Sequence, residues 1–280
     1  MRKILVVFFT FFSISSLFGA FAPPQGELAI SLSPHFMSGN KYYDANGNTL
    51  SGRKFTDIGG LLGFQYGITD TYSVSGNLAY RSLSWGEDAT TNPVQPSANN
   101  SNLGDANFNQ RLQVFNSSTL LLSTDLSLGI PSGDSTRSDK LLTGDGEWNI
   151  LPRLSAVYLP GFLPGYVQID FGYNFRTRDF SDEIHAGIQV GLFFWENKFG
   201  TFIELRRQHS LKNRNSVANQ GSALFANNQS FTSPGLGLFF KVNESSGMVA
   251  FYRGALGAEN IVAASAFSLT YYYKFNVIKN

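Results

Sequence analysis

Three histidines, His35, His185 and His209, bound the acid–base chemistry this sequence can perform. The one cluster that reads as a nucleophile beside a base is Arg207-Gln208-His209-Ser210, the pairing an acyl hydrolase uses. On a strand, neighbouring residues point to opposite faces, so His209 and Ser210 meet only if this segment is a loop. Gly133-Asp134, Gly144-Asp145-Gly146 and Asp182-Glu183 could hold a divalent cation from loops. Carboxylates beside glycine are equally the residues of tight turns, and the spacing of an EF-hand loop is absent. Gly235-Leu236-Gly237 has no helical pattern after it, so it is no nucleotide loop. With no cysteine in the chain, disulfides and cysteine-based metal or redox sites are excluded. These residues name no catalytic group, no metal ligand and no cofactor.

More charge sits in segments that alternate polar and apolar residues. Their polar faces carry Asp57, Asp105, Asp125, Glu147, Asp170 and Glu204 against Arg81, Arg111, Arg153, Arg206, Lys241 and Lys274, with His185 nearby. Gathered in one interior, this set is the lining of a lumen. A pore for acidic sugars would show a one-sided arginine lining, and a cation pore an excess of carboxylates. The near balance leaves two readings: opposite charges cross-brace a filled interior, or they bound a narrow path for neutral or weakly polar solutes. Gly59, Gly63, Gly172, Gly187, Gly191, Gly235 and Gly237 fall on the same faces. They leave room for a solute or for neighbouring aromatics, or they serve sheet curvature. Phe202 and Tyr272 are inward aromatics able to line such a passage.

The elements that must carry these residues are strands. The 280 residues are 42% hydrophobic and only 15% charged, with 26 Phe, 12 Tyr and 28 Gly; soluble domains average about 25% charge. A formal charge of +1 offers no basic patch for nucleic acid. Strict alternation recurs about twelve times, as in Val167, Ile169, Phe171, Tyr173 and Phe175 against Gln168, Asp170, Gly172 and Asn174. Over 248–254 either register can be defended. Candidate links are short at 68–71, 116–118, 159–165, 195–199 and 243–247, and longer at 38–54, 84–102, 132–146, 177–183, 209–230 and 255–260. Short turns on one side and long loops on the other mark an outer-membrane barrel. A soluble sandwich would bury its apolar face against a second sheet, and a lipocalin-like barrel turns apolar residues inward. In lipid only helices and closed barrels satisfy every backbone group. The expected fold is all-β, a transmembrane antiparallel up-and-down β-barrel of about 12 strands. Its outward faces place Arg207 at a loop end, leave Gln110 as a blemish, and carry Pro152, where a bulge or kink is expected.

Both ends of the chain carry addresses. Arg2 and Lys3, an apolar run over 4–18, then Gly19, Ala20 and Ala22 form a signal-peptide pattern over 1–22, followed by a barrel over 23–280. The apolar run is short of the roughly 20 residues that span a bilayer. At the other end Phe267, Leu269, Tyr271, Tyr273 and Phe275 alternate. They resemble the lipid-facing C-terminal signature by which barrels are recognised for assembly, with 276–280 overhanging. The expected partners are outer-membrane lipid, the barrel assembly machinery and a small-molecule solute, without nucleic acid. The expected location is the outer membrane of a Gram-negative-type bacterium.

A family resemblance rests on four segments: Leu103-Gly104-Asp105, Gly129-Ile130-Pro131-Ser132-Gly133-Asp134, Thr143-Gly144-Asp145-Gly146-Glu147-Trp148 and the turn Gly67-Ile68-Thr69-Asp70. Together these resemble the outer-membrane transporter family named for the meta-pathway of phenol degradation, with Ile130 and Ser132 departing from its common form. The resemblance implies a barrel that passes small hydrophobic or aromatic compounds. The sequence thus supports a passive channel. The alternatives are a plugged structural or surface-interaction barrel, with binding in the Asn/Ser-rich stretches 97–102 and 213–230, or a membrane acyl hydrolase. Fatty-acid-type channels carry an N-terminal plug; here a plug would come from 84–102 or 209–230.

Overall fold

The computed structural model describes residues 22–88, 95–214 and 218–277. The leader expected over 1–22 lies outside them, apart from Ala22. Every element among the described residues is extended. The strands are β1 Glu27–Tyr43, β2 Thr49–Gly67, β3 Tyr72–Trp85, β4 Ala98–Asn116, β5 Leu120–Ile130, β6 Asn149–Tyr158 and β7 Gly165–Arg176. They continue with β8 Glu183–Phe194, β9 Phe199–Ser210, β10 Ser230–Asn243, β11 Ser246–Arg253, β12 Leu256–Glu259, β13 Ile261–Val262 and β14 Ser265–Asn276. Each of β1 to β10 pairs antiparallel with the next, and β14 pairs with both β11 and β1. The wall is therefore a closed barrel of twelve strands, β1–β11 and β14. The short β12 and β13 belong to the connection between β11 and β14, where β12 pairs with β10 and β13 with β1.

The apolar alternation decides which face is which. Leu32, Leu62, Leu154, Ile169, Phe171, Ile188, Ile203 and Leu236 are exposed on the outer wall, and so are Phe267, Leu269, Tyr271, Tyr273 and Phe275 on β14. Their neighbours in sequence point inward and are mostly buried. An exterior of this composition is suited to acyl chains and not to water. The doubtful segment resolves with Val249 and Phe251 inside and Tyr252 outside. Both of its faces are apolar because the interior at that end of the barrel is itself apolar.

Some boundaries differ from expectation. The link expected over 38–54 is mostly hairpin, since the β1–β2 ladder runs to Tyr43↔Thr49, and β4 begins at Ala98, inside the loop expected over 84–102. Strands of 17 to 19 residues outrun the roughly 9–11 that cross a bilayer. Beyond the hydrocarbon no lipid imposes a greasy face, so the sequence there loses its alternation while the ladder continues. At Pro152 no bulge forms. The β6–β7 register is the same at Ile150↔Phe175 and Arg153↔Gly172, and the proline's missing donor is absorbed by two unpaired positions. Gln110 has a partner for its outward amide, whose oxygen accepts the Tyr72 hydroxyl at 2.8 Å. Arg207 donates to Gly257 O at 3.1 Å and to Thr232 Oγ1 at 3.2 Å, at the loop end of the wall.

The sidedness has a direct energetic consequence. Ile188 sits mid-strand on the outer face, between Ile169 and Leu205 on the flanking strands. Ile188→Arg should cost about 2–4 kcal/mol, the penalty for arginine facing lipid near the midplane. Reversible urea unfolding in lipid vesicles measures it; a variant as stable as the parent contradicts the assigned faces.

Candidate functional site

The interior charges are arranged by register. Asp125 on β5 stands opposite Arg111 on β4 and Arg153 on β6, and Arg111 Nε donates to it at 2.5 Å. Farther round the wall, pairing skips a strand. Asp170 on β7 and Arg206 on β9 are both partners of Gly187 on β8, and Arg206 Nη1 reaches the Asp170 carboxylate at 3.1 and 3.2 Å across that glycine. A Cβ at Gly187 would press on both groups. Gly235 on β10 lies in the same way between Glu204 on β9 and Arg253 on β11, whose nearest approach is 3.8 Å. Arg206 Nε also donates to Glu204 at 3.2 Å. Gly59 on β2 faces His35 on β1 and Arg81 on β3, and the His35 ring and the Arg81 guanidinium each approach Asp57 at 3.2 Å. Glycines in the inner face thus act as saddles over which charged groups two strands apart can meet.

A second group lies nearer the loops. Glu147 is not on a strand; it ends the 131–148 loop, fully buried, in contact with Arg176. Arg176 Nη1 donates to Glu183 at 2.6 Å, and His185 Nε2 lies 2.9 Å from the same carboxylate. Asp182, beside it, accepts from the Arg176 backbone N–H at 3.0 Å and from Asn213 at 2.9 Å. Lys274 stands apart at the turn end, 3.5 Å from Glu27. His209 is exposed while Ser210 is buried, so the two face opposite sides of the wall. Arg176 and Arg253 do not stand out in the sequence: Arg176 ends β7 just past its clear alternation, and Arg253 lies in the segment over 248–254 where either register can be defended.

Aromatic rings fill the turn end. Phe202 packs over Gly237, Phe251 against Gly235, Tyr272 over Gly247 and Tyr166 over Gly191. Phe202 and Phe251 stack at 5.4 Å, and Tyr166 donates its hydroxyl to Gln189 at 2.6 Å. These glycines hold neighbouring rings and not empty space. This is the pairing by which aromatic side chains cover glycine in a sheet.

Two loops enter the barrel from the other end. Loop 131–148 is stapled to β4 by the segments that carried the family resemblance. Asp105 accepts Gly133 N–H at 2.9 Å and Asp145 N–H at 2.8 Å. Thr143 accepts from Asp134 N–H and donates to Leu103 O at 2.7 Å, while Ser132 accepts from Ala106 N–H and donates to Gly104 O. A Cβ at Gly144 would collide with the Asp105 carboxylate. The glycine–aspartate pairs are thus a fastening, which sets Leu141 and Leu142 in the interior with almost no exposure. Higher in the loop, the Arg137 guanidinium holds the Asp139 carboxyl below the usual carboxylate range. Residues 218–229, within the plug candidate 209–230 whose positions 215–217 lie outside the described residues, also fold inward, burying Ala223 against Phe55, Leu83 and Trp85. Its Phe225 ring lies 5.4 Å from the Arg81 guanidinium. The 89–94 portion of the other plug candidate lies outside the described residues.

Asp105→Ala removes an acceptor of two charge-assisted hydrogen bonds, each contributing about 1.5–3 kcal/mol. Loop 131–148 should come free, and trypsin should cut at Arg137 or Lys140 at least about tenfold faster than in the parent, as follows when an opening equilibrium shifts by 1.4 kcal/mol or more. Unchanged cleavage kinetics would show that the staple does not hold the loop.

A family model described as "Putative MetA-pathway of phenol degradation" matches residues 39–271. Comparison with curated protein sequences gave no match. Among solved structures, an outer membrane channel from Pseudomonas putida F1 superposes with a TM-score of 0.74 at 17% identity, over 91% of this chain and 98% of that one. The KdgM porin in complex with disordered oligogalacturonate gives 0.54 at 8% identity, over 88% and 99%. The translocator domain of the autotransporter NalP from Neisseria meningitidis gives 0.54 at 13%, over 90% and 89%. These similarities establish the fold of an outer-membrane barrel, and their differing roles leave function to the site. With the family model spanning nearly the whole described barrel, the chain belongs to the family of the MetA-pathway of phenol degradation.

Proposed function

We propose that this barrel is a passive outer-membrane channel for small solutes, some of them apolar or aromatic. The observation that carries the reading is a series of internal spaces along the lumen. A cavity of about 580 Å3 lies at the loop end among Tyr42, Trp85, Lys140 and Asn228. Below it, cavities of about 320 and 370 Å3 lie between the folded-in loop residues Leu224 and, in the first, Phe225, and the charged wall. Ligand pockets usually fall between roughly 300 and 1,000 Å3, so each space suits a small molecule. The lumen-lining residues Asp57, Arg81, Arg111, Asp125, Arg153, Asp170, Glu204 and Arg206 then serve both to brace the wall and to bound the path. Asp105, Glu147 and His185 fix the elements above it, and Lys274 anchors the turn end. The exposed alternating face of β14, the strand that closes the barrel, serves as the signal read by the assembly machinery.

The inward packing of loop 131–148 and of residues 218–229 favours a second reading, a plugged barrel whose outer surface binds partners. One comparison separates them. Purified protein in planar bilayers, and a variant with 218–228 replaced by a short glycine–serine link, should both conduct. The variant should carry several-fold more current, because the residues over Arg81 are gone. An absence of current from the parent and the variant alike would favour the plugged barrel.

A further inference from the structure

The balance of formal charge is real, but its presentation inside the barrel is lopsided. Side chains of Asp57, Asp125, Asp170 and Glu204 are only 1–4% exposed, pressed against the wall. Those of Arg81, Arg111, Arg153, Arg206 and Arg253 are 14–42% exposed. The long guanidinium arms reach over the short carboxylates and cover them. A solute inside therefore meets a cationic surface laid over a buried anionic one.

The asymmetry is concentrated in the cavity of about 370 Å3. Arg81, Arg153, Arg206 and Arg253 line it, and Asp170 is the single carboxylate along it among the described residues. Two of these cations are poorly matched by the protein. Arg153 Nε is buried without a hydrogen-bond acceptor, its nearest carboxylate oxygen 3.9 Å away on Asp170. Arg253, the most exposed, comes no closer than 3.8 Å to Glu204 and stacks on Phe251. The same cavity has an apolar side, including Leu224 from the folded-in loop and Phe231 from β10. A guanidinium presents a planar fork that fits a carboxylate, and a buried donor without an acceptor gains most when one arrives.

We infer that this chamber binds a small amphipathic anion, a flat apolar body bearing one carboxylate, with Arg153 and Arg253 taking the carboxylate and Leu224 and Phe231 the apolar part. The inference deepens the channel reading, naming the substrate class of the same lumen, and replaces the neutral solutes expected from the charge count. An anion is attracted in by the guanidiniums and still leaves, because the buried carboxylates behind them temper the attraction.

The probes are benzoate and benzyl alcohol, matched in shape and different in charge, used with the full-length protein. In detergent micelles, calorimetry should show benzoate binding more tightly than benzyl alcohol. Arg153→Gln with Arg253→Gln should weaken benzoate by about tenfold or more, as expected for a lost charge-assisted hydrogen bond, with little effect on benzyl alcohol. Arg253→Lys should retain part of the benzoate affinity. In planar bilayers under a KCl gradient, the parent should be anion-selective and benzoate should reduce the chloride current. Equal binding of the two probes, or unchanged benzoate affinity in the double variant, overturns the inference. So does a cation-selective pore. Charge-dependent benzoate binding without any conductance would uphold the site and count against the channel.

Discussion

A peptide N–H or C=O left unpaired in hydrocarbon costs several kcal/mol, and any open sheet has two edges to hide. Here one ladder removes both edges: β14 lies against β1 from Glu27↔Asn276 to Ser38↔Ser265. Once that pair forms, the sheet has an inside and an outside, and the period of two sorts every side chain between them. Leu, Ile and Phe go to lipid. Polar residues, glycines and whatever apolar groups are needed to fill the turn end go inward. The ion pairs, the stapled loops and the chambers all follow from this enclosure.

The enclosed charges then have to be reconciled with loss of water. Removing one partner of such a pair leaves the other uncompensated, at several kcal/mol, and Asp57, Asp125, Asp170 and Glu204 are each met by at least one arginine. Strands lie about 4.8 Å apart, and pairing only nearest neighbours would confine each contact to adjacent strands. Gly187 and Gly235 lift that restriction by letting Asp170 face Arg206, and Glu204 face Arg253, over an intervening strand. The result is a belt that braces the wall while its longer, cationic arms remain on the lumen side. Above it, Asp105 and Gly144 fasten a loop into the lumen, so that the barrel's own chain narrows its interior.

What could be read in the sequence follows from the range of each interaction. The two faces of β7 or β14 are set by alternation within a few residues, and the chain order of short turns and long loops gives closure and strand number. The Gly-Asp segments were legible as a family likeness and, from their residue types, as turns. Their actual work, with Asp105 receiving the N–H groups of Gly133 and Asp145, depends on contacts across 28 and 40 residues of sequence that no local pattern encodes. The same holds for Glu147, which alternates as if on a strand but ends a buried loop against Arg176. Counting charges found the balance and missed its presentation, because exposure depends on how far each side chain reaches past its neighbours. Arg253 was hidden by an apolar segment with two plausible registers.

Because the sequence has no cysteine, single cysteines can be placed one at a time along β7, from residue 167 to 175, and labelled with a fluorophore in lipid vesicles. Quenching by nitroxide groups on the acyl chains reads the face of each position. Labels at 167, 169, 171, 173 and 175 should be quenched, and those at 168, 170, 172 and 174 protected. Quenching without this alternation, or with the opposite parity, would contradict the separation of lipid and lumen on which the account stands.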